Sequence, residues 1–354
     1  MNPKLIESIA NAVLYEGYML YPYRPSAVKN RQRWNFGVVS PKDCGEAPVG
    51  TDSSVMQTEC LAFGSADTEI NVKARFLQPI ARTIGEPTDA ATVLPQDRDP
   101  DFRVVETLQV GEQILQTWQE VIEREILLPT CRLIDLSSLP LALPFAFPRT
   151  KQIEAVRGPH GRIAGFIVRK QEAIEGRVDL SAEWLTEGLC KINVRISNVA
   201  RVGLSSERSR EEALMRSMVS THSFLSIGRG EFLSMLDPPA GLQQFVAGCR
   251  NIGTWPVLVG EDGERDAMLS SPIILYDYPQ IAPESPGDLF DATEIDEILA
   301  LRILTLTDEE KREMRDADER GRQILERTEA LPREHFMKLH GALRGMRPAD
   351  EDKQ

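Results

Sequence analysis

Cysteine is scarce and scattered. Cys44, Cys60, Cys131, Cys190 and Cys249 are odd in number and never stand in C-x-x-C spacing. That excludes a motif-encoded zinc knuckle and disfavours a disulfide framework, and it predicts reduced thiols that are mostly buried. Long apolar runs are missing too, none approaching the ~18 residues of a membrane helix. Residues 1–15 lack the basic-then-apolar order of a signal peptide. A cytoplasmic protein without membrane insertion is expected. Basic surplus is also absent: the formal charge is -13 and the pI about 5.0. A nucleic-acid binder needs a basic face, so no nucleic-acid partner is expected.

Motifs for phosphate chemistry are lacking. There is no G-x-x-x-x-G-K-[ST], and no G-x-G-x-x-G between a strand and a helix. The four histidines give little. His160 falls in a turn, and His335 and His340 lack the i, i+4 spacing of helical zinc ligands. His222 reads as a strand residue among Ser220, Thr221 and Ser223. It could serve as a base for a Ser or Cys249 nucleophile, but no G-x-S-x-G elbow accompanies it, and a satisfied structural histidine is the plainer reading. No cofactor is predicted, and no metal site is fixed.

What is present is a chain of 354 residues with 42% hydrophobic and 27% charged residues, enough for two ordinary domains. Residues 3–14 place Leu5, Ile6, Ile9, Val13 and Leu14 on one helical face. Four of the six tyrosines follow between Tyr15 and Tyr23. This stretch interleaves Tyr21, Tyr23, Arg24, Lys29, Arg31, Arg33 and Trp34. Such a mixture suits a docking surface, or rings packed inward with charges in water.

From 34 to about 203 the period becomes two. Glu69–Phe76, Arg177–Trp184 and Lys191–Asn198 alternate as half-buried antiparallel strands do. Gly158–Gly161 marks a hairpin turn. The three prolines of 139–148 confine that run to an edge or a covering loop. Residues 86–103 read as a long loop. These features predict a β-sandwich or partly open barrel.

A smaller α+β unit is expected over 204–304. It comprises a short helix over 207–215, a hairpin about Gly228–Gly230, a helix opened by Asp237-Pro-Pro, and a second hairpin about Gly260–Gly263. Residues 305–354 read as a helical extension and tail, opened by a capping box at Thr307 and Glu310. The expected class is thus α+β. The parts are an N-terminal helix and aromatic segment (1–33), a β-rich domain (34–203), an α+β unit (204–304) and C-terminal helices (305–354).

Between Arg265 and Arg302 there is no Lys or Arg, whereas eight Asp and Glu occur. Here Ile273–Leu275 reads as a buried strand leading to Tyr276, Asp277 and Tyr278. A proline-punctuated loop with Glu284 and Asp288 follows, then a helix for which Asp291 and Glu294 form the cap. Asp277, Glu284 and Asp288 are carboxylates of the kind that hard cations take. The Asp-x-Asp-x-Asp-Gly core of a calcium loop is missing.

Several stretches resemble one uncharacterised bacterial family. They are Tyr21–Arg31, Leu236–Pro239, Cys249–Leu258, Ser270–Pro279, Ala282–Ile298 and Leu304–Glu310. That family is similar to proteins encoded beside nickel–iron hydrogenase genes and their accessory factors. The resemblance implies a role in making, assembling or supporting such a hydrogenase, and assigns no catalytic residue. Two hypotheses follow. The first is a non-enzymatic accessory protein that binds a protein partner, such as hydrogenase subunits or maturation factors, through Tyr21, Tyr23, Arg24, Arg31, Trp34, Tyr276, Asp277, Tyr278, Glu284 and Asp288. The second is a metal-assisted hydrolase using Asp277, Glu284 and Asp288, with His222 as base. On the first, the segment 15–33 is expected to meet 276–297. The sequence sets no oligomeric state.

Overall fold

Alternating side chains dominate the structure, a computed structural model that describes residues 3–16, 22–24, 27, 30, 35–42, 53–89, 99–200, 210–280, 296–317 and 319–332. The chain divides into two compact units. One comprises Met1–Leu14 with Asn35–Pro279, the other Tyr15–Trp34 with Gln280–Gln354.

The first unit is built on two large antiparallel sheets that do not close into a barrel. Its first strands are β1 (Val55–Phe63), β2 (Glu69–Pro87), β3 (Phe102–Val105), β4 (Thr107–Val110), β5 (Gln113–Gln116), β6 (Trp118–Leu127) and β7 (Cys131–Arg132). Then come β8 (Leu141–Phe147), β9 (Thr150–Arg157), β10 (Ile163–Gln171), β11 (Ile174–Thr186) and β12 (Leu189–Asn198). The last are β13 (Val219–Gly228), β14 (Glu231–Phe232), β15 (Trp255–Leu258) and β16 (Ala267–Ser271). One sheet runs β14-β1-β12-β11-β8. The other runs β15-β16-β13-β2-β10-β9, with β3, β6 and β7 also on β2, while β4 and β5 form a separate ribbon.

The α+β sandwich-like class is as the alternation predicts. Ile70, Val72, Ala74 and Phe76 of β2 face Val178, Leu180 and Ala182 of β11 and Ile192, Val194 and Ile196 of β12 in one buried core. Phe76 packs its ring on Phe145 and Phe147 of β8. In β11, Gly176 leaves room for Phe145, whose ring would lie 2.2 Å from any added Cβ. Strand β8 is the edge its prolines predict. Strands β9 and β10 form the expected hairpin.

Several local expectations are corrected. After 210 the chain joins the first sheet: β13 lies in register along β2, so 219–271 extends that sheet within the same compact unit. The expected hairpin at 228–230 is a corner between sheets, because β13 pairs with β2 and β16 while β14 pairs with β1. Arg229 takes φ 59 there, and Gly230 passes so close to the Phe63 carbonyl that a Cβ would sit 2.7 Å from it. The helix expected from Asp237 is α4, Gln243–Ala247 (α1, α2 and α3 being Pro3–Tyr15, Leu133–Ser138 and Arg210–Leu214). Phe245 and Val246 of α4, with Leu242 and Cys249 flanking it, pack on Leu61, Leu189 and Leu233. The loop expected over 86–103 begins and ends as paired strand, with Glu86 opposite Arg103. Residues 90–98 lie outside the described residues, as do 201–209 at the expected boundary and the helix and tail expected from 333.

In the second unit, α5 (Asp296–Leu304) falls where a helix was expected after Asp291 and Glu294, while α6 (Asp308–Ala317) and α7 (Glu319–Glu329) stand in place of one helix expected over 307–328. Lys311 Nζ meets Glu329 Oε1 at 3.0 Å, which two positions eighteen residues apart on one straight helix could not do. The helices therefore fold back on each other and bury Met314, Ile324 and Leu325. The capping box forms as spaced: Thr307 N–H donates to Glu310 Oε2 at 2.9 Å, and Glu310 N–H to Thr307 Oγ1 at 3.3 Å.

Candidate functional site

Strand β16 stops at Ser271 because Pro272 follows and cannot donate to the ladder. The segment after it was expected to be a buried strand, but Ile274 is 70% exposed and Tyr276 80% exposed. The chain is then anchored again. Asp277 Oδ1 accepts the Leu258 N–H at 2.8 Å, and Oδ2 accepts the Ser234 hydroxyl at 2.5 Å. Ser234 Oγ in turn accepts the Leu236 and Asp237 amides at 3.2 and 2.8 Å. Tyr278 N–H donates to the Leu258 carbonyl at 2.8 Å. Tyr278 itself sits at φ 54, packs against the sandwich core, and has its phenol raised by that burial.

The result is a short arch anchored at both ends. Its two feet are Ser271 and Asp277–Tyr278, and its crown carries Ile274 and Tyr276. Trp255, opposite Ser271 in the β15–β16 ladder, is also 44% exposed. Sequence reasoning missed Ser234, Ile274 and Trp255. Ser234 carried no signal, whereas Pro272 could have flagged the end of the strand.

The other described candidates belong to the helical unit. Tyr23 is fully buried at φ 55 in the helical unit. Arg24 there meets Glu310 Oε1 at 2.9 Å and Glu313 Oε2 at 3.4 Å. Asn30 Nδ2 donates to the Arg24 carbonyl at 3.1 Å, and the Arg320 guanidinium lies 3.7 Å over the Tyr15 ring. These side chains hold their own unit together. Tyr21, Arg31, Trp34, Glu284 and Asp288 lie outside the described residues, as do Asp291 and Glu294. The expected meeting of 15–33 with 276–297 therefore also falls largely outside them.

Possible chemistry is limited at the remaining groups. His222 is buried, its Nδ1 3.0 Å from the Ser220 carbonyl, and burial pushes the imidazole down to about 4. Cys60 and Cys190 lie on the core-facing side of β1 and β12, where burial raises both thiols, Cys190 to about 11. They are inert hydrophobes rather than nucleophiles. Among the described residues no three His, Cys, Asp or Glu side chains converge as metal ligands. Also among the described residues, no helix is long and apolar enough to cross a membrane. The chain matches no protein-family model and no curated protein.

Proposed function

We propose that the protein is an accessory or assembly factor that binds a protein partner, and that the partner is a nickel–iron hydrogenase subunit or maturation factor. The observation that carries the binding role is the arch. Exposed single apolar residues are ordinary, but Ile274 and Tyr276 stand out together from a segment whose two ends are fixed by Ser271, Leu258 and Ser234. Aromatic side chains presented on a pre-ordered support lose little entropy on docking. The hydrogenase context rests on the motif resemblance, and Ser270–Pro279, which carries the arch, is its strongest element. The hydrolase reading finds less support, since both Asp277 oxygens are already engaged by protein donors. The test is purification of the tagged full chain from its native host. Co-elution of hydrogenase subunits or their maturation factors is expected. Their absence, together with normal hydrogenase assembly after deletion of the gene, would overturn the proposal.

A further inference from the structure

One buried group in the β unit serves neither the core nor the arch. In β13 the register along β2 shifts between Val219 and His222, and Ser220 within that bulge takes φ 51. His222 stands directly opposite Arg75, so both side chains lie on the same face of the sheet, away from Phe76 and the core. That face is the one α1 covers. Arg75 donates to Glu7 Oε1 at 3.2 Å and to Asn11 Oδ1 at 2.9 Å, and Ser220 Oγ lies 3.5 Å from the Val13 carbonyl in the last turns of the same helix.

The proton on the imidazole can be placed. A carbonyl only accepts, so the contact with the Ser220 carbonyl requires Nδ1–H. In the neutral ring Nε2 then carries the lone pair. It is buried and has no hydrogen-bond partner among the described residues. A second proton would go to Nε2, creating a buried cation beside a buried guanidinium. The charged groups facing this point are Lys73 and Arg75 of β2, Glu123 and Glu125 of β6, and Glu7 of α1. The acids outnumber the cations, but their side chains are 37–50% exposed while that of Arg75 is 4% exposed. Water screens the acids, and the neighbour that is not screened is positive. Opening the helix is the cheapest way to hydrate such a ring, because α1 forms the lid and the sheet forms the floor.

We propose that α1 is an acid-releasable cover on the sheet, with the His222 imidazole as the group whose protonation lifts it. Burial holds the ring neutral in the closed form, and exposure in the open form restores ordinary basicity. Opening is then linked to uptake of one proton and grows by roughly tenfold per pH unit below the ordinary histidine range. The test is hydrogen exchange of the full chain at pH 7 and pH 5, corrected for intrinsic rates. Over that range free carboxylates stay mostly ionised. Protection of the α1 amides, lower than that of β12 at both pH values, is expected to fall by about twentyfold. In His222→Asn, whose amide can still donate to the Ser220 carbonyl, α1 protection should stay flat. Unchanged α1 protection in the wild type, equal loss in the variant, or α1 protection no lower than that of β12, as when the whole fold opens together, would each overturn the proposal. If the variant does not fold, NMR titration of the His222 ring in the wild type decides. A midpoint matching that of α1 opening supports the proposal, and midpoints separated by more than about one pH unit contradict it.

Discussion

Two tyrosine-bearing segments look alike in sequence and are used in opposite ways. Tyr23-Arg24 and Tyr276-Asp277-Tyr278 each set an aromatic beside a charge, and each holds a tyrosine at positive φ. In the helical unit Tyr23 is fully buried and Arg24 is paired with Glu310 and Glu313, so the segment spends its chemistry on its own fold. In the β unit Asp277 and Tyr278 do the anchoring, and Tyr276 is left outside. An unusual composition therefore marks a constrained backbone in both places, but leaves a free surface in only one.

This contrast can be broken most forcefully at Tyr23. Tyr23→Ala should cost about 3–5 kcal/mol of unfolding free energy, as for other fully buried aromatics, measured by chemical denaturation. A cost below about 0.5 kcal/mol, the surface range, would show that Tyr23 is not a core residue. Acid comes next in size. The unfolded chain binds a proton at His222 near pH 6.5 while the folded chain binds it only near 4, so stability is lost as pH falls through that window. Between pH 7 and pH 4.5 the expected loss is roughly 2 kcal/mol, and it should vanish in His222→Asn. Denaturation midpoints taken from pH 7 to pH 4.5 would show it.

Removing the anchor is smaller. Asp277→Ala strands the Leu258 amide and the Ser234 hydroxyl and should cost about 1–3 kcal/mol, with faster amide exchange at Leu258 and Tyr278. Thr307→Ala removes one half of the capping box and should cost about 1 kcal/mol, read as fraying of α6 by exchange or circular dichroism. Smallest of all is Tyr276→Asp, which should change stability by less than about 0.5 kcal/mol. If it unfolds the protein instead, the tyrosine is a structural residue and the contrast with Tyr23 disappears.

How much of this was legible in the sequence follows from the range of the forces involved. Period-two strands such as Glu69–Phe76 and Lys191–Asn198 were plain because alternation reports a half-buried face directly. The capping box at Thr307 and Glu310 was plain because its bonds are local. The sheet-switching corner at Arg229 was not, since β14 finds its partner in β1, far away in sequence. The helical fold-back was missed for the same reason: Met314 and Leu325 form only a thin stripe on one imagined helix, yet become a core when two helices meet. At the arch, Asp277 looked like a metal ligand because its real partners, Ser234 and the Leu258 amide, are contributed by other segments. The exposure of Tyr276 was legible only as a tyrosine without an assigned structural role.

Binding of the purified full chain to purified hydrogenase subunits and maturation factors, wild type against Tyr276→Asp, tests the central claim most directly. The account predicts saturable binding by the wild type and at least about a tenfold loss in the variant, in the range seen when an aromatic anchor is removed from an interface. Equal binding by both proteins would contradict the assignment of the arch, and no binding by the wild type to any of them would contradict the proposed function itself.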